Sequence, residues 1–335
     1  MAERIGNRTI VLNNKPSIIG YGSVVGKKEH EGPKGYEFDA YDNDCRFGED
    51  SFEKAESRLQ KIAVETALRK ANLAETDIDL ICAGDLLNQC IGSFFGLKGM
   101  EIPLIGLYGA CSTMALGLSV ASLAIDSGAA RKTISVTSSH FCSAERQYRF
   151  PLEYGSQRTP NAQRTVTGAG ATVLAISENK PYIDKITFGK IVDLKIKDAN
   201  KMGAAMAPAA ADTLITFFRD TETTAEDYDI IFTGDLGSVG TDLLYELMNR
   251  EGFDIRCRHS DCGMMIYDLE KQDVHAGGSG CGCSASILNS YIMHRFEEGR
   301  FKNILFMSTG ALMSPTSAMQ GESIPSIAHL VNIRI

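Results

Sequence analysis

Residues 74–85 have the sequence AETDIDLICAGD, and residues 224–235 have the related sequence TAEDYDIIFTGD. Each contains a short apolar run that is typical of a buried parallel strand. At a constant offset of 150, which is 235 minus 85, five residues recur. They are Asp77, Asp79, Ile81, Gly84 and Asp85, which return as Asp227, Asp229, Ile231, Gly234 and Asp235. The recurrence indicates an internal duplication.

The segments that follow these strands recur as well. Cys111–Ser127 is rich in small residues, which predicts a buried helix, and it precedes Gly128 and a predicted strand at 131–139. In the second copy, a predicted helix at 283–298 precedes Gly299 and a strand at 301–310. The duplicated unit is therefore longer than the strand alone.

Another helix is predicted at 51–71, where apolar residues recur at helical spacing behind Asp50 and Glu53 as a capping pair. Helices that alternate with strands predict an α/β protein with mostly parallel strands and right-handed crossovers. We expect two similar halves, residues 1–179 and 180–335.

The composition excludes several classes of protein. The 335 residues are 44% hydrophobic and 23% charged, as in ordinary globular proteins. A net charge of −8 argues against extended nucleic-acid binding. The sequence has no apolar run of about twenty residues and no secretory signal, and its nine cysteines are an odd number at scattered spacings. These features predict a cytoplasm-like compartment with mostly reduced thiols.

Cys111 is the leading candidate for a functional residue. It follows Gly109 and Ala110 after an apolar strand and opens the small-residue helix. A thiol at a helix N-terminus experiences the positive end of the macrodipole, so we expect a lowered pKa. The alternative is a small core cysteine, which is the usual role of this residue type.

Several segments together resemble the thiolase and ketoacyl synthase superfamily. They are the stretch around Cys111, the duplication, DVHAGGSGCGCSAS at 273–286 and FMSTGALMSP at 306–315. The resemblance implies a duplicated α/β/α/β/α layered fold with two mixed sheets. It also implies that a cysteine opens the buried helix of the first half.

The residues only partly match the catalytic pattern of that superfamily. Condensing enzymes need paired donors beside the acylated sulfur to stabilise a developing oxyanion. Where the family has one histidine, this chain has Thr233, Gly234 and Asp235, whereas His275 matches the position of the other donor. A carboxylate opposes an oxyanion, so we expect a protein without catalytic activity. The alternative is an acyltransferase or condensing enzyme in which a coenzyme A or carrier-protein thioester acylates Cys111.

A closer resemblance is to the thiolase-like stage V sporulation family of spore-forming bacteria, carried most specifically by SSHFCSAERQYRFPLEYGSQRTPNAQRTVTGAGAT at 138–172. It implies binding of dipicolinic acid, pyridine-2,6-dicarboxylic acid, alone or as its calcium chelate, for uptake into the developing spore. It also implies partners among other stage V sporulation membrane proteins, a peripheral place on the spore inner membrane, and a homodimer with residues 86–99 at the interface. A third possibility is an interaction subunit with a vestigial pocket.

A rigid aromatic dicarboxylate needs cationic or N–H donors and a flat wall. Pro151, Gly155 and Pro160 predict that the arginine-rich block after Ser138 is a loop. For any single arginine in this block, the alternative to a ligand-binding role is a solvated position on the surface. The candidate ligand-binding residues are Cys111, His140, Arg146, Arg149, Tyr154, Arg158, Asp235, His275 and Gly310.

No metal site or cofactor is expected. Cys257, His259 and Cys262 do not have the paired spacing of structural zinc. The glycines between 277 and 282 lack the ordered phosphate-binding pattern after a strand. Cys281 and Cys283 are interpreted as small residues that open a helix.

Overall fold

The structure, a computed structural model, describes residues 1–148, 159–178 and 180–335. In the first half the strands are β1 (Glu3–Ile5), β2 (Thr9–Val11), β3 (Pro16–Gly26), β4 (Ala40–Asp42), β5 (Leu80–Gly84), β6 (Leu104–Gly106), β7 (Lys132–Ser139), β8 (Arg164–Thr165) and β9 (Gly168–Ile176). In the second half they are β10 (Tyr182–Thr187), β11 (Ile230–Thr233), β12 (His259–Asp261), β13 (Gly278–Ser279), β14 (Asn303–Ala311) and β15 (Ser326–Arg334).

The helices connect and cover these strands. The first half has α1 (Lys27–His30), α2 (Phe52–Ala71), α3 (Ile91–Leu97), α4 (Thr113–Asp126) and α5 (Phe141–Tyr148). The second half has α6 (Met202–Thr221), α7 (Gly237–Arg250), α8 (Cys262–Ile266), α9 (Cys281–Ile287), α10 (Met293–Glu297) and α11 (Pro315–Met319). A π-helical turn, Leu288–Ile292, connects α9 to α10.

The two halves build their sheets in the same way. The first has the strand order β3-β9-β7-β5-β6, and the second has β10-β15-β14-β11-β12. In each half the strand next to the outer edge, β5 or β11, is parallel to both neighbours, whereas β9 or β15 is antiparallel to its neighbours. The two mixed sheets share one edge, because β3 and β10 pair at Ser17 and Tyr182. With β1, β2 and β4, these ten strands form one continuous thirteen-stranded sheet, and β8 and β13 form a separate two-stranded one.

The helices form three layers around the sheets. Helix α4 packs against β5 and β7 of the first sheet and against β14 and β15 of the second, and α9 lies beside it. Helix α2 covers the outer face of the first sheet, and α6 covers the outer face of the second. Separate apolar clusters fill the middle layer and the two outer layers. This arrangement confirms the predicted α/β/α/β/α fold.

The duplication is visible at single residues. Asp79 accepts hydrogen bonds from the backbone N–H groups of Arg131 and Lys132, at 2.7 and 3.0 Å. Asp229 accepts equivalent bonds from Lys302 and Asn303, at 2.6 and 2.8 Å. Each aspartate therefore fixes the start of the neighbouring parallel strand, which explains why this residue is present in both copies.

Local sequence explains the helices of the first half. α4 contains many small residues because its surroundings are crowded: a β-carbon at Gly117 would lie 2.5 Å from the Ser135 hydroxyl. The predicted helix at 51–71 is present, but Asp50 is not its cap. The Ser51 hydroxyl accepts the hydrogen bond from the Lys54 N–H instead, since serine is an equally good N-cap and lies one residue closer.

The predicted boundary between residues 179 and 180 lies in the connection from β9 to β10 and stays a prediction. The middle-layer cluster contains residues of both halves, such as Met114 and Phe306. Among the described residues, no helix is both long and apolar enough to span a membrane.

Candidate functional site

Cys111 lies in a tight turn at the edge of the middle layer, between β6 and α4. Helix α4 begins at Thr113, two residues later than predicted. The Ser112 and Thr113 hydroxyls donate to the carbonyls of Gly109 and Ala110, both at 2.6 Å. Ala110 has a positive φ of 49°, so the turn is sharp. These bonds fix the position of the cysteine, which is 6% exposed.

A cavity opens beside Cys111, and the space between its walls, counted out to solvent at its mouth, is about 510 Å³. Its described lining residues are Leu86, Tyr108, Ala110, Cys111, Ala144, Glu145, Tyr148, Thr165, Ala199, Met202, Ser279, Ala311 and Met313. Most of these side chains are apolar or aromatic. Within the described ranges, Glu145 is the only charged residue of the wall. The cavity therefore suits a flat, partly apolar molecule.

Two tyrosines stand at the rim of this cavity. The Tyr108 and Tyr148 hydroxyls lie 3.0 Å apart, and the Tyr148 hydroxyl also donates to the Leu86 carbonyl. Burial is the main cause that raises the pKa of both phenols, so both stay neutral. The pair supplies aromatic surface together with polar tips.

The Cys111 thiol points toward a buried carboxyl. The Asp235 carboxyl lies near enough to the thiol to shift its pKa, and Ser279 and Gly280, which also lie near the thiol, donate hydrogen bonds to the same carboxyl. Burial, followed by the nearby Asp235 carboxylate, raises the pKa of Cys111 well above its ordinary value. The expected lowering of this pKa by the helix N-terminus is thus wrong, because burial and a like charge outweigh the macrodipole here.

Asp235 follows β11 and is 1% exposed. Its carboxyl accepts hydrogen bonds from the Thr309 hydroxyl at 2.8 Å and the Gly280 N–H at 2.9 Å. Burial raises the pKa of Asp235 to about 7; the nearby Cys111 thiol and the Thr309 hydrogen bond oppose this rise, and the Asp261 carboxyl adds to it. The duplicated Asp85 bonds instead to Leu87 and Ser93, so the two copies have diverged.

The two predicted histidines do not reach the described wall of the cavity. The His140 Nε2 lies 2.8 Å from the Cys45 carbonyl, and its Nδ1 accepts from the Cys142 N–H at 3.2 Å. His275 pairs with Asp273, with 3.2 Å between Nε2 and Oδ1. Both histidines thus bond to nearby partners, and neither belongs to the described lining of the cavity beside Cys111.

The arginine block differs in part from the prediction. Arg146 lies on α5 rather than on a loop, and its guanidinium pairs with Glu53 of α2, away from the described lining. The helix forms because Phe141–Tyr148 contains no proline or glycine; the predicted breakers all follow it. Arg149, Tyr154 and Arg158 lie outside the described residues.

Gly310 contributes to the site through the backbone. It lies on β14 beside the Cys111 turn. Of its two neighbours, Thr309 bonds to Asp235 and Ala311 lines the cavity. The residues that sequence reasoning missed are mainly Tyr108, Glu145, Met202 and Met313. The proximity of Tyr108 to Cys111 in the sequence was an available signal, but Met202 and Met313 reach the cavity only through the fold.

Across the described ranges, no group of three or more His, Cys, Asp or Glu side chains is arranged to hold a metal ion. The Cys257–Cys262 segment instead contains part of a hydrogen-bonded network. In it, His259 lies 2.9 Å from the Thr233 hydroxyl, which donates to Asp261 at 2.6 Å. Helix α9 begins at Cys281, as the small residues there predicted.

Several solved structures share the fold of this chain. The 3-oxoacyl-[acyl-carrier-protein] synthase III from Aquifex aeolicus VF5 matches with a TM-score of 0.60 and 14% identity, over 96% of this chain and 100% of that one. Cerulenin-bound OleA from Xanthomonas campestris matches with a TM-score of 0.62 and 14% identity, over 97% and 100%. At this identity the likeness concerns the fold alone.

Comparison of the sequence with known proteins identifies the family of this chain. The sequence model of stage V sporulation protein AD (SpoVAD) matches residues 6–334. Stage V sporulation protein AD of Bacillus subtilis (strain 168) is 43% identical over 324 residues, which cover 97% of this chain and 96% of that protein. The chain belongs to the stage V sporulation protein AD family.

Proposed function

We propose that this sporulation protein binds dipicolinic acid without catalysis, in the cavity beside Cys111, and serves the uptake of that acid into the developing spore. The observation that carries the proposal is the buried Asp235 carboxyl beside the Cys111 thiol, which together with burial raises the pKa of that thiol. It supports a ligand cavity rather than a condensing centre.

Acyl transfer to a cysteine requires the thiolate, which is the nucleophilic form. Both burial and Asp235 favour the neutral thiol of Cys111. A carboxylate at this position also opposes the negative charge that develops on a substrate oxygen. Cys111 is therefore better suited to the cavity wall than to attack on a thioester.

The cavity also suits the shape of a pyridine dicarboxylate. Tyr108, Tyr148 and Met202 provide aromatic and polarisable surface for a ring. Thr165 and Ser279 add hydroxyl groups to the wall. Met202 is the first residue of α6, and Ala199 begins the 3-10 turn before it. A helix N-terminus favours carboxylate binding.

We also propose a homodimer that forms along β6. The first sheet ends at this strand, whose outer edge has no partner among the described strands. Ile105 on β6 is 40% exposed, and Phe94 and Phe95 of α3 are 45% and 63% exposed. An open edge flanked by apolar side chains is a common place for a second chain to pair.

Light scattering during gel filtration tests the dimer. We expect the mass of two chains for the unaltered protein and of one chain for Ile105→Lys. Ile191→Lys is the control, because Ile191 is also an exposed isoleucine, at 63%, but lies after β10 in the second half. A single-chain mass for the unaltered protein contradicts the dimer.

We propose that the protein attaches peripherally to the spore inner membrane through other stage V sporulation membrane proteins. Fractionation of sporulating cells tests this attachment. We expect the protein to sediment with membranes when these partners are present and to remain in the supernatant when they are deleted. Sedimentation that is independent of the partners contradicts the proposal.

A titration of the purified protein tests the central proposal. Dipicolinate is added with and without calcium, and a separate sample is treated with acetyl-coenzyme A and weighed by intact mass spectrometry. We expect saturable dipicolinate binding and no acyl adduct.

Two variants sharpen this test. Cys111→Ala alters the cavity wall, whereas Cys257→Ala changes an exposed cysteine far along the chain. We expect dipicolinate affinity to change only in the first. An acyl adduct that Cys111→Ala abolishes, without dipicolinate binding, supports the acyltransferase instead. If neither ligand binds, an interaction subunit is the better interpretation.

A further inference from the structure

Asp235 lies directly behind the floor of the cavity. Cys111 and Ser279 belong to the cavity wall. The Ser279 hydroxyl donates a hydrogen bond to the Asp235 carboxyl at 3.4 Å, and the Cys111 thiol lies near enough to that carboxyl for each group to shift the pKa of the other. Only one side chain therefore separates a ligand on this floor from the buried carboxyl.

The titratable groups around Asp235 come from four elements. They are Cys111 from the turn before α4, Cys281 and Cys283 from α9, Asp261 from β12 and Cys262 from α8. None of these groups is a cation. The four thiols are held neutral, with pKa values raised well above the ordinary value, first by burial. Burial raises the pKa of both carboxyls of this set, Asp261 and Asp235, and that of Asp235 is raised to about 7, so the charge of Asp235 changes near neutral pH.

We propose that an acidic ligand enters this cavity together with one proton, which the Asp235 carboxyl holds while the ligand is bound. This inference rests on the proposed binding of a dicarboxylic acid. Carboxyl groups of small acids are ionised at neutral pH, so the ligand brings negative charge to the floor. In a buried site, two neighbouring carboxylates favour protonation of one of them.

The proton comes from the acid form of the buffer. The bond from that acid to its proton breaks and leaves the conjugate base in solution, while an O–H bond forms on Asp235. The Thr309 hydroxyl and the Gly280 N–H, which donate to the carboxyl now, still have an oxygen to donate to. Above the pKa of Asp235 in the free protein, affinity should fall about tenfold for each pH unit.

Titration calorimetry with sodium dipicolinate tests the proposal at a pH of about 7.5, in two buffers that differ in ionisation enthalpy. The difference in apparent heat gives the number of protons taken up. We expect about one proton for each ligand bound, and roughly tenfold weaker binding at a pH of about 8.5. Saturable binding without proton uptake overturns this inference and leaves the proposed function intact; no binding at any pH overturns both.

Two variants assign the proton to Asp235. Asp235→Asn should remove the proton uptake and flatten the pH profile. Thr309→Val removes a donor to the ionised carboxyl, so the pKa of Asp235 should rise and the loss of affinity should move to higher pH. This variant keeps the test valid if Asp235→Asn does not fold.

Thr213→Val is the matched control. Thr213 is also fully buried, and its hydroxyl donates to the Ala328 carbonyl at 3.0 Å, away from the cavity. Its pH profile should equal that of the unaltered protein. A Thr309→Val profile identical to this control contradicts the role of Asp235.

Discussion

Gly310 on β14 packs directly on the turn of Gly109, so that a β-carbon at residue 310 would lie 2.3 Å from the Gly109 carbonyl oxygen. The same β-carbon would lie 3.0 Å from the Ser112 N–H nitrogen. The second half thus presses on the turn that holds Cys111. Gly310→Ala should displace this turn, lower the free energy of unfolding by about 1–3 kcal/mol and weaken dipicolinate binding.

Urea denaturation and a ligand titration measure these two effects. Gly99→Ala is the matched control, because no atom lies within 4 Å of a β-carbon at that position. Equal stability of the two variants contradicts the close packing of the halves at Gly310.

Asp220 fixes the N-terminal hairpin to the end of α6. Its carboxylate accepts hydrogen bonds from the backbone N–H groups of Asn7, Arg8 and Thr9, at 2.6, 2.9 and 3.0 Å. Burial raises the pKa of Asp220, but these bonds outweigh burial and lower it overall. Asp220→Asn should therefore lower the free energy of unfolding by about 1–3 kcal/mol near neutral pH.

The sign of the pH dependence follows from the lowered pKa. The contribution of Asp220 is present above its ordinary pKa and disappears as the pH falls through the lower value of the folded state. The stability difference between the variant and the unaltered protein should shrink in acid. Glu226→Gln, at an exposed position, should show little difference at any pH.

The sequence was sufficient for the fold because its strongest signals are local and repeated. Asp79 and Asp229 occupy the same position in the two copies, and each accepts hydrogen bonds from backbone N–H groups at the start of the neighbouring strand. The burial of α4 was likewise predictable, because a helix of small residues packs closely on all sides. These signals need no knowledge of side-chain direction.

The site was harder to predict, because it depends on where each side chain points. His140 directly follows β7, yet its ring turns to the Cys45 carbonyl. Arg146 faces Glu53 rather than the cavity. Ala199 and Met202 come from the second half and reach Cys111 only because the two halves pack together. The spacing of residues along the sequence does not show in which direction a side chain points in the folded protein.

Two histidines, the buried His329 and the half-buried His259, should make the protein sensitive to acid. Burial lowers the pKa of both His259 and His329 to about 4. The unfolded chain therefore binds more protons than the folded one between about pH 6.5 and pH 4. Stability should be fully present above about pH 6.5 and fall as the pH decreases to 4, by up to roughly 3 kcal/mol for each histidine.

Urea denaturation at several pH values measures this loss. His329→Gln should reduce the slope between pH 4 and 6.5, since glutamine has no proton to gain. His30→Gln is a suitable control because the His30 ring stacks on exposed Tyr41. An equal slope in both variants contradicts the buried neutral state of His329.

The reactivity of Cys111 gives the most direct test of its relationship with Asp235. A cysteine reacts with an alkylating reagent as the thiolate. Cys111 is 6% exposed, and burial and Asp235 raise its pKa well above the ordinary value. Cys257 is exposed. During iodoacetamide treatment at a pH of about 7.5, we expect peptide mass spectrometry to detect modification at Cys257 well before Cys111.

Asp235→Asn removes the carboxylate that opposes thiolate formation, so alkylation of Cys111 should become faster in that variant while Cys257 reacts at an unchanged rate. General unfolding would accelerate every buried cysteine, so the internal control is Cys82, which is 1% exposed and whose pKa is raised by burial alone; its slow alkylation should be unchanged in the variant. Rapid modification of Cys111 in the unaltered protein would mean an activated thiolate, and the condensing-enzyme interpretation would then replace the binding one.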